Sequence, residues 1–498
     1  MNETELRFQV PATARSAVEA SVATATAKRT RLQAIYFDTP DRRLAKAGLA
    51  LRLRKEGRRW FQTLKAGDPH AMQRFEHNVP RPRLGADVSA ASLRPDTSLH
   101  ADNEGGALLA RATESAEGEP GLALSALFRT DIRRCHRIVR TAQGGVELAF
   151  DVGFIVAGAR RLPVCELEIE LLRGSPSAVT RVASRWVARH GLWLEVRSKA
   201  ERGDRLACDL TNPPVPLHKA AALQLTDSHD VDTAFAAVVA NGLAHALPNA
   251  SEIASGDYAE EHVHQLRVAL RRLRTAMRFF EGWTGLIEPG WADTLAATFA
   301  QLGSTRDRDA LAAAVVPDLR EAGAPWFELP PIVAAADPVA LVRANALTQT
   351  WLELLAAAQR EPADTPRGDA TTFRAQAGER LDVWLQQVRR DARRFDDLDD
   401  PARHRLRRRV KRLRYAAEFV ASLHPRKAVA KFMQGLAPVQ DSLGRLNDVN
   451  VALLLYRGIV EETPAAWFAV GRLSARREAL LAQSAAALKA FRRVRPFW

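Results

Sequence analysis

One charged stretch occurs twice in this chain and limits its fold more than any other feature. His264-Gln-Leu-Arg-Val-Ala-Leu-Arg-Arg-Leu-Arg274 returns as His404-Arg-Leu-Arg-Arg-Arg-Val-Lys-Arg-Leu-Arg414. A long self-match at fixed offsets marks an internal duplication. On a helix, at about 100° per residue, His264, Arg267, Arg271, Arg274 and Arg278 share an arc of roughly 80°. Leu266, Leu270, Leu273, Met277 and Phe280 form a separate stripe. The second copy sets His404, Arg407, Lys411 and Arg414, with Arg412 beside them, against Leu406, Val410, Leu413 and Ala417. Each helix therefore offers an apolar stripe to a core and a basic stripe that cannot enter one. A solvated face has no reason to keep a histidine and several cations at the same offsets twice. Aligned cations repel unless an anion lies between them, and guanidinium groups match phosphate in a bidentate way. The spacing points to a polyanion with closely spaced phosphates.

A second matched pair, Leu302–Asp309 and Leu443–Asn450, each follows a helical stretch. Its glycine, Asp and Asn residues suit a helix cap and the start of a new helix. They equally suit side chains that orient the basic residues.

The first 210 residues have a different period. Glu3, Glu5 and Arg7 alternate with Leu6, Phe8 and Val10, and Arg52 and Arg54 with Leu51 and Leu53. Glu166, Glu168 and Glu170 alternate with Leu167, Ile169 and Leu171, and Glu147 shares a face with Asp151. Such alternation predicts strands. Like charges two residues apart on one face repel unless a cation intervenes. Hard divalent metals such as Mg²⁺ or Mn²⁺ take carboxylate and phosphate oxygens, and a closed barrel has room for acidic and basic faces together.

Taken in order, these strands resemble the CYTH, or triphosphate tunnel metalloenzyme, family. Glu3-x-Glu5-x-Arg7 is similar to its ExExK signature. Tyr36-Phe-Asp-Thr39, Leu51-Arg-Leu-Arg54, Thr63-Leu-Lys65, Arg74-x-Glu76, the Glu166/Glu168/Glu170 strand and Ser198-Lys199 follow as its later motifs. The resemblance implies an eight-stranded antiparallel β tunnel with flanking helices that hydrolyses inorganic triphosphate with Mg²⁺ or Mn²⁺. By that resemblance Glu3, Glu5, Arg7 and Lys199 would be catalytic. Glu3, Glu5, Glu168 and Glu170, with Asp151 and Glu166 in a lesser role, would hold metal. Arg7, Arg52, Arg54, Lys65, Arg74, Arg133 and Lys199 would hold phosphates. Arg7 stands where the signature has lysine; it keeps the charge but is bulkier and planar.

The doubled histidine motif, with Leu443-Gly-x-x-Asn-Asp-x-Asn450, resembles the CHAD (conserved histidine α-helical) domain. This implies duplicated four-helix bundles with a basic groove for inorganic polyphosphate, gripped by His264, Arg267, Arg271, Arg274, His404, Arg407, Lys411, Arg412 and Arg414. The expected organisation is a multidomain α+β and all-α chain: residues 1–210, a Pro-rich linker at 211–218, and 219–498 as two pseudo-repeats of about 219–360 and 361–498.

Composition narrows the alternatives. The net charge of +14 is not concentrated in a basic tail, and the basic helices lack interleaved aromatics, which argues against nucleic acid. Three scattered cysteines suit a reducing cytosol. The polar start reads as no signal peptide, and no apolar run is long enough for a bilayer. The expected location is cytoplasmic, with polyphosphate granules as an association. Two other functions fit the same residues: a polyphosphate-binding or targeting protein without catalysis, and an adenylate cyclase. Oligomeric state is not encoded in any of these features.

Overall fold

The computed structural model describes residues 2–67, 72–82, 92–114, 123–208, 216–303, 315–325, 336–359 and 370–498. Most of the expected linker, the Ser304–Asp309 part of the matched pair, Pro330-Pro331 and Asp364-Thr-Pro366 lie outside the described residues. The described chain divides into two compact units. One comprises Met1–His218, Ala246–His262 and Val342–Ala356; the other comprises Lys219–His245, Val263–Leu341 and Ala357–Trp498.

The first unit is built on nine antiparallel strands: β1 (Asn2–Gln9), β2 (Lys28–Asp38), β3 (Ala50–Glu56), β4 (Arg59–Ala66), β5 (Gln73–Pro80), β6 (Ser125–Thr141), β7 (Gly144–Ala157), β8 (Arg160–Gly174) and β9 (Trp193–Leu194). Their order is β5-β4-β3-β2-β6-β7-β8-β1-β9, and a further β5–β1 pairing closes eight of them into a barrel. β1 is the closing stave. It pairs Glu3 with Arg74 of β5, then Arg7 with Glu168 of β8, and Phe8 with Leu194 of β9. Alternate residues face opposite sides of a strand, so the charged face of β1 turns inward and Leu6, Phe8 and Val10 turn outward, where they are buried.

The apolar core of this unit thus lies largely outside the barrel wall. Helices α1 (Arg15–Val22) and α4 (Ser177–His190) cover it with Val18, Val22, Val179, Val182 and Val187. Two helices lie between them in sequence, α2 (Arg43–Lys46) and α3 (Glu104–Thr113). Asp38 accepts from the backbone nitrogens of Leu44 (2.8 Å) and Ala45 (2.9 Å) and so caps α2. This gives the Asp of the Tyr36-Phe-Asp-Thr motif a structural role.

One end of the barrel interior is apolar instead of charged. Tyr36 stacks on Phe128 at 4.5 Å beside Ile132, Ile155 and Val164, and helix α5 (Lys199–Ala207) packs on this cluster through Ala200 and Leu206. Gly203 permits the approach, since a Cβ there would fall 2.1 Å from the Phe128 ring. Ser198 caps α5, accepting from Glu201 N at 3.0 Å.

From Val231 onward the described residues are mainly helical: α6 (Val231–Ser255), α7 (Glu260–Phe280), α8 (Trp291–Gln301), α9 (Pro338–Val342), α10 (Asn345–Ala358), α11 (Ala370–Arg393), α12 (Asp400–Val420), α13 (Arg426–Arg457) and α14 (Ala466–Phe491). In the second unit α11, α12, α13 and α14 pack in succession and α14 returns to α11, which makes a four-helix bundle. The motif helices α7 and α12 bury their predicted leucine stripes completely. The C-terminal tail packs: Trp498 and Phe497 stand edge-on to Phe432, and Trp498 Nε1 donates to Asp382 at 2.9 Å.

The Leu443–Asn450 stretch does not end a helix. It lies inside α13, one unbroken helix across Gly435, Pro438 and Gly444. Of the two readings open for its Asn and Asp residues, orientation is the one seen. Asn447 Oδ1 is 2.9 Å from His404 Nδ1, and Asn450 Oδ1 accepts from Arg477 Nε at 2.9 Å.

Candidate functional site

The barrel encloses a cavity of about 1120 Å³ lined mostly by charged and polar side chains. Glu3, Glu5, Arg7, Arg52, Arg54, Lys65, Arg74, Asp151, Glu168, Glu170 and Lys199 all line it. Two of the expected tunnel residues do not. Arg133 is exposed on the outer face of β6, and its neighbour Arg134 lines the cavity instead. The pleat decides this: β6 turns Thr130, Ile132, Arg134 and His136 inward. Glu166 has its carboxylate fully buried between Lys199 (2.9 Å) and Arg202, off the cavity wall, so it is a counter-ion and not an open ligand.

Three groups of charge follow one another along the cavity. Nearest α5, Lys199 Nζ lies 2.9 Å from Asp151, 2.9 Å from Glu166 and 2.6 Å from Glu168. Arg134 donates to both oxygens of Asp151 at 2.7 Å and also reaches Glu168. Against the cost of burial, these carboxylates hold the Lys199 ammonium above its ordinary range.

A second group centres on Lys65, which pairs with Glu3 and with Glu76 at 3.0 Å. Burial and the nearby Glu5 push Glu3 up to about 9. Against burial, Lys65 holds Glu76 well below the carboxylate range. Arg52 donates to the Tyr36 hydroxyl at 3.2 Å.

The third group is a row of carboxylates across three strands. Glu5 stands opposite Glu170, and Glu170 opposite Glu147. Arg7 Nε touches Glu5 at 3.3 Å, and His136 touches Glu147 at 2.9 Å. Burial and Glu5 push Glu170 up to about 7. Directly opposed like charges raise the energy of the ionised row, and a divalent cation is what such a row accommodates. Among the described residues no three His, Cys, Asp or Glu side chains already stand as a finished metal cage; most of these carboxylates are drawn onto Lys65, Lys199 and Arg134.

Anion-binding capacity remains on β3, across the barrel from β8, and on β5 beside β1. The Nε atoms of Arg52, Arg54 and Arg74 are buried with no hydrogen-bond partner. Burial and the neighbouring Arg52 push Arg54 down, and burial and Arg7 push Arg74 down. An anion would relieve both. Arg7 itself is committed: its Nη1 donates to the Arg197 carbonyl at 2.8 Å and its Nη2 to the Val196 carbonyl at 3.1 Å.

The second unit gathers its own cations. Burial, Arg271 and Arg407 push the Lys411 ammonium down to about 7, and Arg267 adds to this. The four side chains therefore converge from both copies of the repeated motif. Arg267 and Arg271 lie over the Phe299 ring of α8, at 4.8 and 5.1 Å. The aromatic surface that the basic helices lack is supplied by another helix. Burial and Arg271 push Arg274 down. His264 is half-buried on the same stretch of α7. His404 is engaged by Asn447, and Arg414 by Glu418 (2.8 Å) and Gln440 (2.9 Å). Arg412 turns elsewhere, over Trp384 at 5.5 Å. Arg134, His136 and Phe299 are site residues that the sequence did not single out, whereas Glu76 and Glu147 stood in its motifs and strand faces without a role.

The CYTH domain family model matches residues 1–203 and the CHAD domain model residues 237–457. The chain is similar to an inorganic triphosphatase of Haemophilus influenzae, 30% identical over 171 residues, which are 34% of this chain. It spans 44% of that relative's length. Among solved structures, the CHAD domain of the plant Ricinus communis is 28% identical, covering 58% of this chain and 99% of that one, with a TM-score of 0.46. HpAC1 of Hippeastrum, described as an adenylyl cyclase with dominant triphosphatase activity, is 18% identical over 39% of this chain and 91% of its own, with a TM-score of 0.28. The chain thus belongs to the proteins that join a CYTH domain, residues 1–203, to a CHAD domain, residues 237–457.

Proposed function

We propose that the barrel hydrolyses inorganic triphosphate with a divalent metal, Mg²⁺ or Mn²⁺, and that the helical unit binds inorganic polyphosphate. One observation carries the first half: a carboxylate row and a set of partly unpartnered guanidiniums face each other inside one cavity. The donors fit the metal, since they are hard oxygens and burial and like charge push two of them, Glu3 and Glu170, upward, a cost that a cation would relieve. Glu3, Glu5 and Glu170 would hold it, with Glu168 nearby. When bound, it neutralises phosphate charge and polarises an attacking water. Arg52, Arg54 and Arg74 fix phosphoryl oxygens and stabilise charge on the leaving pyrophosphate. α5 and the Tyr36–Phe128 cluster exclude water from the adjoining end of the cavity.

The convergence of Arg267, Arg271, Arg407 and Lys411 supports the second half. The three guanidiniums beside Lys411 oppose its charge unless an anion enters. Repeated phosphates at close spacing answer that arrangement.

The test is phosphate release from inorganic triphosphate by the full chain, with and without Mg²⁺ or Mn²⁺, beside Glu5→Gln. Metal-dependent release lost in Glu5→Gln supports hydrolysis. Triphosphate binding without release supports a second reading, in which the barrel only holds phosphate. The commitment of Arg7 to two backbone carbonyls favours that reading.

A further inference from the structure

We propose that Glu252, near the end of α6, is a positioning residue for the barrel site. The proposal rests on the triphosphatase reading for its kinetic readout and on geometry for the rest. Glu252 lies inside the stretch matched by the CHAD model, yet it belongs to the same compact unit as the barrel. Its side chain is 1% exposed.

One carboxylate ties down both ends of α5. Arg197, two residues before the helix, donates to Glu252 at 3.0 Å; Arg205, two residues before its end, donates to both Glu252 oxygens at 2.7 and 2.9 Å. Ser251, next to Glu252, accepts from the Val196 backbone nitrogen at 3.1 Å. The segment so held has two attachments to the reaction site. The carbonyls of Val196 and Arg197 receive the Arg7 guanidinium, whose Nε touches Glu5. Lys199, the first residue of α5, sets its ammonium among Asp151, Glu166 and Glu168. Glu252 touches neither the cavity nor a reacting atom. It fixes the backbone from which both groups are aimed.

Removing its charge leaves Arg205 with the exposed Asp257 at 3.7 Å and Arg197 with Glu195 alone. A buried pair that loses one partner does not stay put. Residues 195–207 then loosen, and Arg7 and Lys199 drift with them.

The experiment compares full-length wild type, Glu252→Gln and Asp391→Asn. The last breaks the Arg409–Asp391 pair of the second unit, which shares no residue with the relay. Amide exchange and the kinetics of triphosphate hydrolysis are both measured. Glu252→Gln should speed exchange at 195–207. It should also raise KM roughly fivefold and lower kcat about tenfold, as misplaced charged groups do. Loss of folded protein alone would lower kcat and leave KM unchanged, so the KM rise marks positioning. Asp391→Asn should change neither readout at these residues. Unchanged exchange at 195–207 in Glu252→Gln, or faster exchange with an unchanged KM, overturns the proposal. If wild type shows no hydrolysis, the triphosphatase reading falls; faster exchange in Glu252→Gln, with weaker triphosphate binding by calorimetry, would still uphold the relay.

Discussion

Substituting Arg7 by lysine restores the residue of the family signature, yet it should weaken this protein. Arg7 is 8% exposed and uses three nitrogens: two donate to the carbonyls of Arg197 and Val196, and the third faces Glu5. A single ammonium on a flexible stem cannot span both carbonyls. At least one carbonyl is then left unmet in a buried site. A hydrogen bond to a charged group contributes about 1.5–3 kcal/mol, and an unmet buried acceptor costs a similar amount. Allowing for one retained contact, the expected loss is about 2–3 kcal/mol. For a unit of this size, that lowers Tm by roughly 4–12 °C. Urea or thermal unfolding followed by tryptophan fluorescence reads the first unit through Trp60, Trp186, Trp193 and Trp351. The freed ammonium would face Glu168, its cross-strand neighbour. A variant as stable as wild type would refute the clamp. It would mean that Arg7 serves the lumen alone.

Arg134→Ala should reduce triphosphatase activity by about a hundredfold or more, because Asp151 and Glu168 lose a buried partner, while Arg133→Ala changes it less than about twofold; steady-state kinetics on the pair decides between the two neighbours. Metal affinity should rise with pH between roughly 6 and 9, since Glu170 at about 7 and Glu3 at about 9 must give up protons to bind a cation. Calorimetry in buffers of different ionisation enthalpy should record proton release on Mg²⁺ or Mn²⁺ addition at pH 7. The sign is opposite in the helical unit. Lys411 is pushed down to about 7, so it is neutral above that pH and an anion draws a proton onto it. Polyphosphate affinity should therefore increase as pH falls through 7, and Lys411→Met should flatten that dependence, as read by titration at fixed salt. Gly203→Ala should destabilise the first unit by about 2–4 kcal/mol in unfolding experiments, because its Cβ would meet the Phe128 ring.

Most of the barrel's inner face was legible because charge marks one parity of most strands. On β6 charge marks no single parity: Phe128 and Ile132 share a face with Arg134, because one end of the interior is apolar and receives α5. Arg133, assigned through the family resemblance, falls on the outer face. Glu166 misleads in a related way. It has the right parity, but Lys199 and Arg202 arrive from a helix thirty-odd positions later and bury it. The basic stripes of α7 and α12 followed from spacing alone, since helical periodicity needs no tertiary knowledge. Phe299 and Glu252 could not be found that way. Each belongs to one element and acts on another, and no local period records that pairing. Gly444 also carried too much weight as a breaker, for a helix with packed neighbours tolerates an interior glycine at about 1 kcal/mol.

The way β1 closes the barrel bears on how the chain is made. Its barrel neighbours are β5 and β8, so Phe8 must wait for Leu167. At translation rates of roughly 5–20 residues per second, that wait lasts about eight to thirty seconds on the ribosome. Throughout it, the growing sheet has two unpaired edges, the usual starting point for association between chains. Glu3, Glu5 and Arg7 sit on the waiting strand itself. Charges at alternate positions are poor partners for a neighbouring nascent strand. The residues proposed to serve chemistry in the finished barrel thereby also protect the unfinished one.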